Sequence, residues 1–228
     1  MSSPDDFIAP KCHDDIEILH QDESILLINK PSKLLSLSGK NPANLDSVHY
    51  RIRQQFPTAI MIHRLDLGTS GIMILALNKD IARLLNRQFS ERLVTKTYTA
   101  LLSGHLKSTS GVIDFPIAKG EFPYQKICSI NGKPSLTEYQ CLSHEFFRHN
   151  DQVFPVTRIL YKPLTGRTHQ LRIHSQQIGH PIIGCDLYTS LSGDTEFMSD
   201  RLMLHANQLE FQHPISEKKK VIHCNCPF

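Results

Sequence analysis

Apolar residues fall in short blocks along this chain, and the period of each block predicts its element. From Ile16, EILHQDESILLINKP reads as two short strands about a Gln21-Asp22-Glu23-Ser24 turn. Val48, Ile52 and Phe56 share one face at helical spacing, behind Asp46 as a candidate N-cap. After Pro57 the run HRLDLGTSG leads into an apolar strand, Ile72–Leu77. Asp80 is placed to cap a second helix, IARLLNRQF, with Ile81, Leu84, Leu85 and Phe89 inward and Arg83 and Arg87 outward. Strand-like segments follow at Lys96–Leu102, Gly111–Ile117, Ile127–Ile130, Thr137–Cys141 and Phe154–Tyr161. Thr168 can then cap a helix, HQLRIHSQQIG, with Gly179 in the C′ position, and short strands fill Met203 to Ile222.

Strands outnumber helices, several follow one another like hairpins, and no βαβ alternation is sustained. The fold class expected is therefore α+β, a mixed and largely antiparallel central sheet with flanking helices and loops. Neither G-x-G-x-x-G nor G-x-x-x-x-G-K-[ST] occurs, which disfavours ATP or a dinucleotide as cofactor. Residues 1–15, polar and acidic with two prolines, read as a mobile leader. Residues 16–228 read as a single catalytic-sized domain.

Composition narrows the class without deciding it. The chain has 228 residues, 40% hydrophobic and 21% charged, as an ordinary soluble globular protein does. Its most apolar stretches, Ile25–Ile28 and Ile72–Leu77, are far short of the roughly 18 residues of a membrane span. The N-terminus has acids where a signal peptide has bases, so a cytoplasmic location is expected. The net charge of +3 is unevenly spread. Residues 1–24 hold seven acids and one base, and the rest carries 24 bases against 15 acids, a footprint suited to a polyanion. The six cysteines read as reduced thiols. Only Cys224 and Cys226, near His223, are clustered, and His205 and His213 complete no zinc pattern with them, so no metal is expected.

Two segments concentrate chemistry. His63-Arg64-Leu65-Asp66-Leu67-Gly68-Thr69-Ser70-Gly71 packs two cationic or titratable groups, a carboxylate, two hydroxyls and two glycines against the start of a buried strand. Reactive groups are commonly held on such loops. Gly68 and Gly71 allow a sharp turn that presents Asp66. A plain turn with a surface Asp–Arg pair has the same composition. A Ser70-His63-Asp66 triad is disfavoured, because residues so close in sequence rarely align that way and no nucleophile elbow is present. In the second segment, Thr165–His174, a Gly-Arg pair opens a helix whose His169, Arg172 and Gln176 form a polar stripe able to meet phosphates. A solvated helix face would carry that stripe as well.

These segments resemble the RluA-type RNA pseudouridine synthases, from about Ile18 to the C-terminus. The resemblance rests on Asn29-Lys30-Pro31-Ser32, the HRLDxxTSG signature at His63–Gly71, and Lys96-x-Tyr98. It continues with Gly166-Arg167-x-His169-Gln170-x-Arg172, Gly179-His180-Pro181 and Arg201-Leu202-x-Leu204-His205-Ala206. It implies Asp66 as the catalytic aspartate and Arg64 as the arginine entering the RNA helix when the target nucleotide flips out. It further implies Tyr98 as the aromatic stacking on the uracil, Arg167 as the partner of the carboxylate, and Leu204 as an apolar wall of the base pocket. Lys30, His169 and Arg172 are candidates for the RNA backbone. The family needs neither metal nor organic cofactor, so the implied partner is RNA alone, with a monomer sufficient.

Two departures stand out: Lys33 and Ser38 where close relatives commonly carry Gly and Pro, and Cys185 where many carry Asp. Only some 17 residues precede the match, so no appended N-terminal RNA-binding domain is expected. That short form looks most like the dual-specificity member acting on 23S ribosomal RNA and the anticodon stem-loop of transfer RNAs. A synthase restricted to transfer RNA is its close competitor. Rival readings are a non-catalytic RNA-binding module, which would not require the Asp66 set, and an Asp-dependent glycosidase, which would require a second carboxylate.

Overall fold

The computed structural model describes residues 7–189 and 199–228. In chain order the elements are β1 (Glu17–Gln21), β2 (Ile25–Lys30), α1 (Val48–Gln55), β3 (Ile60–Met61), β4 (Ser70–Ala76) and α2 (Lys79–Ser90). Then come β5 (Thr95–Ser103), β6 (Ser110–Asp114), β7 (Ile117–Lys119), β8 (Gln125–Ile127), β9 (Leu136–His149) and β10 (Gln152–Pro163). The chain closes with α3 (Gln170–Gln177), β11 (Leu204–Gln212) and β12 (Lys219–His223). The α+β class expected from the sequence is the one observed.

The chain divides into two compact units. One comprises Met1–Lys96 with Ala206–Pro227, the other Thr97–His205 with Phe228. The physical basis is two separate apolar clusters. In the first unit Ile25, Leu27, Ile72, Ile74, Leu85, Leu209 and Phe211 pack together. In the second, Leu102, Val156, Ile159, Tyr161, Ile173, Ile182 and Leu204 do so.

In the first unit β4 is buried at all seven positions, which explains the apolar run from Ile72 to Ala76 within it. It lies between β2 and β11, with β1 beyond β2 and β12 on β11. Gly71 opens β4 with φ of 115°, and a Cβ there would stand 2.3 Å from the Ala206 carbonyl oxygen. Only glycine fits both the conformation and the approach. The second unit is built on β5, β10, β9 and β6 in that order, with the antiparallel β7–β8 pair beside them. Strand β9 runs 14 residues, far beyond the expected Thr137–Cys141, because a β-bulge opposite Arg158/Ile159 lets the pairing with β10 continue.

All three expected caps are corrected. Ser47, not Asp46, caps α1 by accepting from Tyr50 N, which leaves Asp46 to take Arg51 at two 2.7 Å contacts. Asn78, not Asp80, accepts from Ile81 N at the start of α2. His169, not Thr168, precedes α3, in a left-handed conformation and without a side-chain cap. The C-terminus of α3 is as expected: Gly179 has φ of 81°, Gly179 N donates to Gln176 O and His180 N to Ser175 O, a Schellman closure. Within the segment read as a leader, Phe7, Ala9, Cys12 and Asp14 are bonded to the body of the first unit. Ala9 N and Phe7 O both bond Asn44, and Arg51 donates to the carbonyls of Cys12 and Asp14. Residues 1–6 lie outside the described residues.

Candidate active site

The Asp66 loop is held by a neighbouring segment of the first unit. Ser36 Oγ donates to Leu65 O at 2.6 Å and accepts from Leu65 N at 3.1 Å, satisfying both backbone groups of the residue before Asp66. Ser32 Oγ donates to Gly68 O at 2.7 Å, and Lys33 N to Leu67 O at 2.9 Å. Thr69 N closes the turn onto Asp66 O at 3.1 Å. The result is a rigid loop with the Asp66 side chain half-buried and Arg64 exposed beside it. Lys33 holds a φ of 64°, in the left-handed region that favours glycine.

His63 anchors the other end of the loop. Its Nε2 accepts from Ile74 N at 3.1 Å, and its ring stacks on Phe89 with centroids 4.9 Å apart. Burial first, then the charge of nearby Lys96, pushes its pKa down to about 3. His63 is therefore a neutral structural pin and supplies no base for a triad. Lys96 in turn is lowered by burial.

In the second unit, Gln170 organises the Gly166-Arg167 corner. Its Oε1 accepts from Thr165 Oγ1 at 2.8 Å and Arg167 N at 3.0 Å. Its Nε2 donates to Leu136 O at 3.0 Å and Thr137 Oγ1 at 2.9 Å. All four hydrogen-bonding positions of this buried amide are filled, so the Arg167 backbone is fixed. The Arg167 side chain is half-buried, with Nε on Pro134 O at 3.2 Å. Tyr98 lies on β5 opposite Tyr161, partly buried against the apolar cluster, and Leu204 is a buried member of that cluster.

The three candidates for the RNA backbone separate. Lys30 is 0% exposed, and its Nζ donates to Pro31 O at 2.8 Å, Leu34 O at 2.7 Å and Leu67 O at 3.2 Å. Arg172 is 4% exposed; it donates to Cys185 Sγ and to Asp186 and lies over the Tyr188 ring, 5.4 Å from its centroid. Both are corrected to internal fasteners, because a buried cation already bonded inside the fold cannot reach a phosphate. Cys185 and Asp186 together receive the Arg172 guanidinium. His169 stays half-buried, its Nδ1 2.9 Å from Tyr188 Oη.

Lys30, Arg64 and Asp66 thus belong to the first unit, and Tyr98, Arg167, His169, Arg172 and Leu204 to the second. Sequence reasoning gave no role to Ser36, whose bond partner is 29 residues away, or to Tyr188, whose hydroxyl accepts from Gln125 N at 2.8 Å. A small hydroxyl and a lone tyrosine carry no periodic signal. Cys224 is buried, its thiol pushed up to about 11 by burial first and by Glu17 and Cys226 after it. His213 is committed to Asp22 and to the amides of Ile215 and Ser216. Among the described residues no group of three or more metal-ligating side chains occurs.

Residues 24–177 match the family described as RNA pseudouridylate synthase. The chain is 42% identical over 214 residues to a dual-specificity RNA pseudouridine synthase RluA of Vibrio vulnificus, covering 93% of this chain and 84% of that protein. It is 45% identical over 199 residues to the protein of the same name from Yersinia pestis, covering 86% and 92%. Its fold is similar to that of human RNA Pseudouridylate Synthase Domain Containing 1, with a TM-score of 0.78 and 33% identity over 97% of this chain and 87% of that one. The chain belongs to the RluA-type branch of the RNA pseudouridylate synthase family and is an RNA pseudouridine synthase.

Proposed function

We propose that this enzyme converts uridines to pseudouridine in both 23S ribosomal RNA and the anticodon stem-loop of transfer RNAs, as a cytoplasmic monomer needing no cofactor. The dual-specificity names of the relatives at 42–45% identity support the two RNA classes. The observation that carries the catalytic assignment is the Asp66 loop, fastened through Ser32, Ser36 and Lys30 while its carboxylate stays half-buried. A carboxylate set rigidly where a polyanion must bind serves chemistry better than affinity.

The reaction breaks the N1–C1′ bond, turns the uracil and rejoins it through C5. The C5 hydrogen leaves to water and N1 regains a proton, so no co-substrate is consumed. Asp66 acts either covalently, at C1′ or C6, or as the base that gives a glycal. A stacked base cannot reach it, and flipping costs a few kcal/mol. Arg64, filling the gap left in the helix, and Tyr98, stacking on the extruded uracil, offset that cost. The family resemblance assigns Arg167 the role of counter-charge and Leu204 that of an apolar wall for the base.

The test is release of tritium from RNA transcribed with C5-tritiated uridine, without added metal or nucleotide. Wild type is expected to release it and Asp66→Asn to release none. Equal release from both would refute the catalytic assignment.

A further inference from the structure

The β9–β10 hairpin projects beyond its sheet neighbours. Strand β6 pairs with β9 only from Leu136 to Gln140, and β5 pairs with β10 only from Val156 to Tyr161. The remaining top of the hairpin is a two-stranded ribbon, a form marginal by itself in water. On one face it nevertheless exposes Phe146 at 71% and Val153 at 51%. The His144 ring stacks on His105 at 4.6 Å with planes 13° apart, and Phe146 meets the His105 ring edge-on at 5.6 Å. Both imidazoles are held from behind. His105 Nε2 donates to Glu145 O at 3.3 Å and His144 Nε2 to Leu106 O at 2.9 Å.

The charge around this face favours a polyanion. Arg148 and Lys107 are exposed at its margins, while Glu145 is neutralised by two contacts with Arg158 of 2.7 and 3.0 Å. Asp151 at the hairpin tip is the opposing acid. Flat, pre-oriented rings flanked by cations are the chemistry that receives unpaired bases of single-stranded RNA.

We propose that His105, His144, Phe146 and Arg148 form a second RNA contact, a platform on which unpaired bases flanking the modified stem-loop stack. It rests on the reading that the substrate is structured RNA.

A fluorescein-labelled single-stranded oligouridylate, titrated against the full chain at fixed salt, reads this surface directly. Phe146→Ser and Phe146→Leu are both expected to weaken binding at least about fivefold, the lower end for loss of one base–aromatic stack. Arg148→Gln should lower the slope of log affinity against log salt by roughly one phosphate contact. Ultraviolet cross-links should map to the peptide spanning residues 142–149. Affinity unchanged in both Phe146 variants overturns the proposal. So does affinity kept by Phe146→Leu and lost in Phe146→Ser, since that marks an apolar protein contact. Dispersal of a dimer by Phe146→Ser with RNA affinity intact would assign the face to a second copy. Circular dichroism checks that each variant is folded, and tritium release by the wild type decides the reaction independently of the platform.

Discussion

Replacing Lys30 by Met separates the two roles a lysine beside the Asp66 loop can have. Its ammonium bonds three carbonyls at 2.7 to 3.2 Å, and one of these, Leu67 O, belongs to the residue after Asp66. A hydrogen bond to a charged group contributes roughly 1.5–3 kcal/mol. Desolvating the ammonium costs several kcal/mol against that sum. Methionine fills nearly the same volume, regains the desolvation and leaves three carbonyls unsatisfied. The net loss is about 2–4 kcal/mol. At a urea m-value of roughly 1–3 kcal/mol/M, the unfolding midpoint should fall by about 1 M or more. Pseudouridine formation should fall with it, because Leu67 loses a fastening. RNA binding should keep its salt dependence, since no phosphate contact is removed. An unchanged midpoint together with a salt slope reduced by about one phosphate contact would refute the reasoning and restore Lys30 as a backbone contact.

Gly71→Ala should cost about 3 kcal/mol or more, because the φ of 115° and the 2.3 Å approach to the Ala206 carbonyl are both closed to a Cβ; a melting temperature within a few degrees of wild type would contradict this. Asp22 has its pKa lowered to about 2: burial opposes the charge, but the amides of Ser24 and Ile25, then His213 and His20, outweigh it. A group depressed on folding stabilises above its unfolded pKa near 4 and loses that contribution as pH falls through 2. After allowance for solvent screening the effect is about 1 kcal/mol, and Asp22→Asn should flatten acid unfolding curves between pH 4 and 2 by that amount. His63, accepting from Ile74 N through Nε2, should stay neutral with its proton on Nδ1 from pH 8 down to 5; nitrogen-15 imidazole spectra showing titration near 6.5 would exclude the pin.

The elements with a clean apolar period were readable from the chain. Strand β4 carries a continuous apolar run from Ile72 to Ala76, and α2 turns Ile81 and Leu85 inward and Arg83 and Arg87 outward. Helix α3 was readable as a helix but not as a surface. The stripe of His169, Arg172 and Gln176 assumes a solvated face, yet Gln170 through Ser175 are buried at every position. A helix buried all round is normally apolar all round. This one is not, so each polar side chain must find a partner within the fold. Arg172 finds Cys185, Asp186 and the Tyr188 ring; His174 finds Thr137 and Phe115 O; Ser175 finds Tyr161; and Gln170 takes Arg167 N. Apart from Arg167 N, these partners lie 13 to 59 residues away along the chain, which no local window connects. Leucines at those positions would bury as well, but they would leave Arg167 N and the Leu136 carbonyl without the amide that now holds both. The polar interior of α3 is thus explained by what it fixes at the Gly166-Arg167 corner, where Gln170 holds both Arg167 N and the Leu136 carbonyl.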